Sequence, residues 1–434
     1  MFGYYVELAL RSLRRSRALT ALMILAVALG IGASMTTLTV LHVLSGDPLP
    51  GRSGSVFMPR LDPRDLDGYD ASAALPTQVT WADGMNLLRV GRAHRQALMV
   101  GGATAVQSDD ASLDPFFVPA RFTTADFFPM FGVPFRFGNA WSDGDDEGRA
   151  RVAVISDALN DRLFHGGDSV GRTLHIDGVD LRIVGVLAPW RVVPHFYDLS
   201  TGDYATTEQV YVPLRTARDL RLKRNGGVEC WGSGSADEDG MEAASCVWLQ
   251  FWVQLDDAGA VAAYRTFLDG YVHEQVARGR FLRPARSELP DVMQYLDERR
   301  VVPGDVRLQV WLALGFFVVC LVNTVGLMLA KFMRRAGEVG VRRAMGASRR
   351  SIFLQLLTEA VAIGVAGGVG GLLIALAGLA LVRQQPSAAA HLAHLDATML
   401  ATTFAVSIAA TALAGVVPAW RACRIPPALQ LKSQ

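Results

Sequence analysis

Catalytic signatures are what these 434 residues most plainly lack. No G-x-x-x-x-G-K-[ST] occurs, which excludes a phosphate-cradling P-loop in this sequence; the glycine-rich GGVGG at 367–371 has no lysine and sits inside an apolar run. Neither H-E-x-x-H nor G-x-S-x-G is present, so a zincin helix and a nucleophile elbow are excluded as well. The acidic stretch SDGDDEG misses the ligand spacing of an EF-hand loop and reads as a solvated turn. His391, His394 and Asp396 lack a further ligand partner, and we expect no metal site there. Charge is scarce too: 19% of residues are charged against 51% hydrophobic, a balance that points away from an ordinary soluble enzyme and toward a membrane protein.

The long apolar runs bear this out in four places, Ala18 to Leu44, Leu308 to Ala330, Ile352 to Val382 and Thr398 to Trp420. Each is long enough to cross a hydrocarbon core of roughly 30 Å, which takes about 20 residues. The first follows Arg11, Arg14, Arg15 and Arg17, yet it exceeds a signal-peptide core and no A-x-A site closes it, so we expect it to be retained. Charge is split along the chain. Residues 46–306 carry more Asp and Glu than Lys and Arg, whereas the remainder is strongly basic. Lys331, Arg334, Arg335, Arg342, Arg343, Arg349 and Arg350 oppose the single acid Glu338 between the second and third runs, and Arg421, Arg424 and Lys432 follow the fourth. Basic segments stay on the cytoplasmic side. The expected order is therefore a cytoplasmic N-terminal helix (1–17), span 18–44, an outer body (45–306), span 307–330, a cytoplasmic basic segment (331–351), span 352–382, an outer loop (383–397), span 398–420 and a cytoplasmic tail (421–434).

Within the outer body, SVFMPRL, QALMVGG, RVAVIS, TLHIDG, LRIVGVL and the alternating VWLQFWVQL read as strands. WADGMNLLRVGRA and AGAVAAYRTFLDGYVHEQVARG read as helices, giving a mixed α+β domain large enough for its own core. The Gly, Ser and acid-rich stretch 224–246 reads as an exposed loop bracketed by Cys230 and Cys246. On the outer side these two thiols are permitted to pair, which would contribute on the order of 3 kcal/mol; the alternative is two unpaired thiols. Two polar residues stand inside the apolar runs, Asn323 in the second and Glu359 in the third, and each needs another helix or water to face. The glycine-rich GVAGGVGGLLIALAG of the third run offers a close-packing surface, which we expect to join two subunits.

Residues 122–187 contain a Thr followed by D-F-F, then G-V-P-F-R-F-G, VAVIS, VGRTL and IVGV, and this stretch resembles the periplasmic core domain of MacB-type permeases. That group of ABC transporter proteins also includes the lipoprotein-releasing permeases and FtsX; Asn139 stands where the family often has Arg. E-V-G-V-R-R-A-M-G-A-S-R-R at 338–350, with Asn323 late in the preceding run, resembles the segment joining the second and third spans of the same family. The resemblance implies a 1+3 arrangement of four transmembrane helices with a large α+β periplasmic domain inserted between helices 1 and 2, in a bacterial inner membrane. It implies that the basic segment is a coupling element and makes Glu338, Arg342, Arg343, Met345, Gly346 and Arg349 the contact residues for an ABC ATPase. Gly346 would permit the sharp entry into the third span.

The same resemblance sets the expected partners. They are two copies of an ATPase subunit on a separate chain, which holds ATP and Mg, and a second permease chain, identical or not, met through the first and second spans. A periplasmic adaptor, an outer-membrane channel and membrane lipid complete the set, with no nucleic acid and no cofactor on this chain. The implied activity is mechanotransmission: cytoplasmic ATP hydrolysis moves the periplasmic domain, for efflux of a peptide, antibiotic or other amphiphile, with lipoprotein release or regulation of a cell-wall hydrolase as alternatives.

Overall fold

A computed structural model of the chain describes residues 16–108, 113–232, 242, 245–302, 304–384 and 397–424. The expected N-terminal amphipathic helix, most of the 383–397 loop with His391, His394 and Asp396, and the end of the tail lie outside the described residues. The chain divides into two compact units, one of residues 46–301 and one of residues 1–45 with 302–434.

The first unit carries 36 acidic residues against 26 Lys and Arg, a net charge of −10. It is built on a nine-stranded mixed sheet in the order β1-β12-β3-β4-β9-β6-β8-β5, with β7 joining β3 and β8. The strands are β1 (Val56–Phe57), β3 (Arg95–Gln107), β4 (Phe116–Thr123), β5 (Phe135–Gly138), β6 (Val152–Ile155), β7 (Thr173–Ile176), β8 (Val179–Leu187), β9 (Val210–Pro213) and β12 (Gln250–Gln254). A short pair, β2 (Arg60–Leu61) with β13 (Ser287–Glu288), and the hairpin of β10 (Glu229–Cys230) and β11 (Cys246–Val247) lie off it.

Side chains alternate across a strand, so a sheet covered on both faces reads as apolar throughout. Here Leu98, Ala153, Val210 and Phe251 enter one core, while their chain neighbours Met99, Val154, Tyr211 and Trp252 enter the other. Leu87 of α2 (Trp81–Val90) and Tyr264, Leu268 and Tyr271 of α7 (Ala258–Ala277) cover the first face. Phe127, Phe128 and Phe131 of α3 (Phe127–Phe131) and Tyr295 of α8 (Val292–Glu298) cover the second. Thr80 and Asp291 start α2 and α8 by accepting bonds from the backbone N–H groups of Asp83 and Gln294. Three further short helices, α4 (Asp143–Glu147), α5 (Asp157–Phe164) and α6 (Leu214–Asp219), connect strands.

The second unit is helical. Three helices are long and apolar enough to cross a membrane: α1 (Arg17–Leu44), α9 (Gly304–Arg334) and α11 (Arg349–Arg383, apolar to Val382). The fourth, α12 (Ala397–Arg424), has a shorter apolar stretch among the described residues, Ile408–Arg421, and Pro418 within it. The glycine face of α11 is occupied inside this chain rather than left for another subunit. A Cβ on Gly367 would lie 2.6 Å from Val27, and one on Gly371 2.8 Å from Ile31, while Gly364 meets Thr411 of α12. Missing side chains at these positions let the α1 and α12 backbones approach, which corrects the expectation of a subunit interface there.

Candidate functional site

Between α9 and α11 the chain turns through α10 (Ala336–Ala344), a nine-residue helix. Its Val339, with Ala347 beyond it, packs on a cluster of Met23, Met328, Phe332, Ile352 and Leu356 contributed by α1, α9 and α11. Four arginines of this segment diverge in role. Arg342 is held against the bundle, donating 3.1 Å to Gln355 on α11 and 3.1 Å to Glu338 one turn back. Met345 is 76% exposed and Val341 48% exposed, in a segment that also carries Arg343, Arg349 and Arg350. Gly346 adopts φ +100°, a conformation that disfavours any side chain, and Ser348 then caps α11 by accepting from the Ser351 N–H at 3.2 Å. The elbow thus sets exposed apolar side chains in an arginine-rich segment anchored to the bundle.

Glu359 is buried in the third turn of α11 and meets Lys331 of α9 in an ion pair, with Arg335 Nη1 at 3.7 Å. Lys331 Nζ also donates to Thr20 Oγ1 of α1 at 3.2 Å, so one buried ammonium ties three helices. Sequence reasoning placed Glu359 against a neighbouring helix but counted Lys331 among the basic residues of the loop. The usable signal was the need of a lone acid in an apolar run for a cation at matching depth. Asn323 is exposed on α9, on the same side as Trp311, Leu312, Val319 and Val322, turned away from the other three helices.

In the sheet domain, Cys230 and Cys246 face each other across β10 and β11 and are joined by a disulfide. Deeper in lies a charged cluster invisible to sequence reasoning. Arg121 of β4 is fully buried and donates to Asp198 Oδ2 at 2.7 Å and to Glu208 at 2.9 Å. Tyr197 Oη donates to Glu208 at 2.6 Å, and Gln250 Nε2 to Asp198 at 2.9 Å. Burial alone would raise the Glu208 carboxyl, but Arg121 and His195 outweigh it and hold it well below the usual carboxylate range. Burial drives the Tyr197 and Tyr211 hydroxyls well above theirs. Asp146, buried in α4, is pushed up to about 6 by burial, which the Arg215 charge and backbone N–H only partly offset. This cluster is buried, with Phe127, Phe131 and Trp190 packed on Tyr197, and it locks β4 to the 195–208 segment. No group of three or more His, Cys, Asp or Glu fit to hold a metal ion occurs among the described residues.

Two families match the chain, the first from within α1 into α7. Residues 20–269 match the MacB-like periplasmic core domain, and residues 310–427 match the FtsX-like permease C-terminal region. The chain is 26% identical over 317 residues to the pyoverdine export ATP-binding/permease protein PvdT of Pseudomonas syringae pv. tomato, covering 71% of this chain and 42% of that protein. It is 24% identical over 306 residues to the uncharacterized ABC transporter permease YvrN of Bacillus subtilis, covering 70% of this chain and 67% of that one. The chain spans about half the length of the PvdT relatives, 42% to 59% of each. A solved structure, the periplasmic region of MacB from Actinobacillus actinomycetemcomitans, aligns with 60% of this chain and 99% of its own at 11% identity and a TM-score of 0.37.

Proposed function

Because this chain belongs to the ABC permease family that joins a MacB-like periplasmic core domain to an FtsX-like permease region, we propose that it transmits the work of an ATPase to its periplasmic domain through the α10 elbow. An ABC permease works with an ATP-hydrolysing partner, and in our reading that partner holds ATP and Mg and seats on Val341, Met345, Arg343 and Arg349. The observation that carries this is the exposure of Met345 and Val341 in an arginine-rich segment whose helix is pinned by Val339 and Arg342. A mobile loop would absorb a push; a helix fixed to α1, α9 and α11 passes it on.

In this reading α12 is a fourth span, both termini and the elbow are cytoplasmic, and residues 46–301 lie in the periplasm of an inner-membrane protein. Two copies, or this chain and a second permease, associate through α1 and α9. Support for that comes from Asn323, whose amide faces outward among apolar side chains where lipid offers it no hydrogen-bond partner. The relatives named for pyoverdine export favour efflux of an amphiphile over lipoprotein release or regulation of a cell-wall hydrolase. A periplasmic adaptor and an outer-membrane channel would complete the route. Purification of the tagged chain from native membranes tests the proposal: an ABC ATPase should accompany the wild type and be lost from an Arg343→Glu/Arg349→Glu variant. Retention of the ATPase by that variant would contradict the assignment of the elbow.

A further inference from the structure

Between α1, α9 and α12 the helical unit leaves a cleft of about 450 Å³, a volume in the range of small-ligand sites. Close packing elsewhere along α1 decides where it opens. A Cβ on Gly30 of α1 would lie 2.9 Å from Phe317 of α9, and one on Gly378 of α11 2.9 Å from Thr36 of α1, so both neighbours hold α1 tightly. Ser34 strengthens the first of these seams, its Oγ donating to Ala313 O of α9 at 3.1 Å. On the α12 side the wall is formed by Thr402 and Val406, and Val406 is 56% exposed.

The lining is graded along α1. Ile31 and Met35 are apolar, Thr39 follows, and His42 and Ser45 stand at the end where the chain passes into the sheet domain. At about 1.5 Å per residue Ile31 and Thr39 are about 12 Å apart, close to the roughly 15 Å of one hydrocarbon leaflet. Among the described residues no Lys, Arg, Asp or Glu lines the cleft, so an ionic headgroup gains no counter-charge there. A helix about 10 Å across and 12 Å long would need roughly twice the volume of the cleft, which excludes a span of a second copy. Thr39 is the polar exception in the middle of this wall. Thr36 and Thr37 bond back to their own helix, donating to Gly32 O at 2.9 Å and Ala33 O at 3.1 Å. Thr39 is fully buried, and its Oγ1 hydroxyl has no partner among the described residues. A hydroxyl left unpaired in hydrocarbon is costly, and a neutral carbonyl at the head of an acyl chain meets it without bringing a charge.

We propose that this cleft holds one acyl chain of a bilayer glycerolipid, the chain running from Thr39 toward Ile31 and its ester carbonyl accepting from Thr39 Oγ1. The site involves neither the elbow nor a nucleotide, so its failure leaves the ATPase coupling to its own test. Which leaflet supplies the lipid rests on the topology proposed above; that the lipid binds does not. The test is native mass spectrometry of the full chain in neutral detergent, titrated with dioleoylphosphatidylcholine and with its dialkyl ether counterpart, which lacks the carbonyls. The wild type should retain one equivalent of the ester lipid at saturation and bind it about fivefold more tightly than the ether lipid, in line with one net hydrogen bond. Thr39→Val, which keeps the shape and removes the hydroxyl, should bind both lipids alike at the ether affinity. Thr39→Ser should keep the ester preference, which separates the hydroxyl from loss of fold. Val406→Trp, filling the cleft from an exposed position, should weaken both lipids by at least about tenfold. No saturable equivalent of lipid, equal binding of the two lipids by the wild type, an ester preference that survives Thr39→Val, or retention indifferent to Val406→Trp overturns the site.

Discussion

Lys331 in the last turn of α9 and Glu359 in the third turn of α11 form an ion pair buried from solvent, with Thr20 of α1 accepting a bond from the same ammonium. Arg335, at the start of α10, stands 3.7 Å from the same carboxylate, which ties the entry of that helix to the other three. Removing one member leaves a buried charge uncompensated, which costs on the order of 3–5 kcal/mol, whereas replacing both with apolar side chains of similar volume is nearly neutral. Glu359→Leu should therefore lower the thermal midpoint of the detergent-solubilised chain sharply, and Lys331→Met/Glu359→Leu should recover most of the loss. Additive losses in the double variant would show that the two do not act as a pair.

The Glu208 carboxylate is stabilised in the folded domain by Arg121 and His195 despite burial, so its pKa is depressed relative to the unfolded chain. A depressed carboxylate contributes stability that is fully present above its unfolded value of about 4.3 and is lost as pH falls below it. Denaturation followed by tryptophan fluorescence should show Glu208→Gln much less stable than wild type at pH 7, with the difference shrinking as pH drops below about 4. A constant difference across that range would rule out the carboxylate as the source.

Asp146 has the opposite sign. Burial raises it to about 6, so its favourable contribution exists at low pH and is lost as pH rises from near 4 through about 6. The displacement corresponds to on the order of 3 kcal/mol against the ionised form. Asp146→Asn, which keeps an acceptor for the Arg215 N–H, should stabilise the chain at pH 8 and not at pH 4. A variant that is less stable than wild type at pH 8 would contradict the burial argument.

Asn323→Leu removes an amide that has no place in lipid. If α9 meets a second permease, self-association of the purified protein in nanodiscs or dilute detergent should weaken by about three- to tenfold, in line with interhelical polar contacts worth roughly 0.6–1.7 kcal/mol. Unchanged or tighter association would place the interface elsewhere.

The parts of this architecture that rest on local pattern were legible in the sequence. Apolar runs marked α1, α9 and α11, and RVAVIS, TLHIDG, LRIVGVL and the 247–255 run marked β6, β7, β8 and β12. Strand pairing was not, because Tyr211 of β9 comes to lie between Arg121 of β4 and Val154 of β6 through crossovers that no local pattern encodes. SVFMPRL divides into β1 and β2 on either side of Met58 and Pro59 instead of running as one strand. At the elbow, Gly346 and the arginines were legible from composition, but the bond from Arg342 to Gln355 depends on where that glutamine falls on the next helix. The Arg121, Asp198 and Glu208 cluster joins residues 77 and 87 positions apart, each ordinary in its own neighbourhood.

In our proposal Met345 and the arginine-rich elbow receive a nucleotide-driven partner in the cytoplasm. A photo-reactive p-benzoylphenylalanine introduced at Met345 in the native host, followed by irradiation and mass spectrometry of the cross-linked product, reads that contact directly. The expected product is a cross-link to a polypeptide carrying a P-loop, absent when the same residue is placed at the bundle-facing Val339. A cross-link to a periplasmic protein, or none to any P-loop polypeptide, would contradict it.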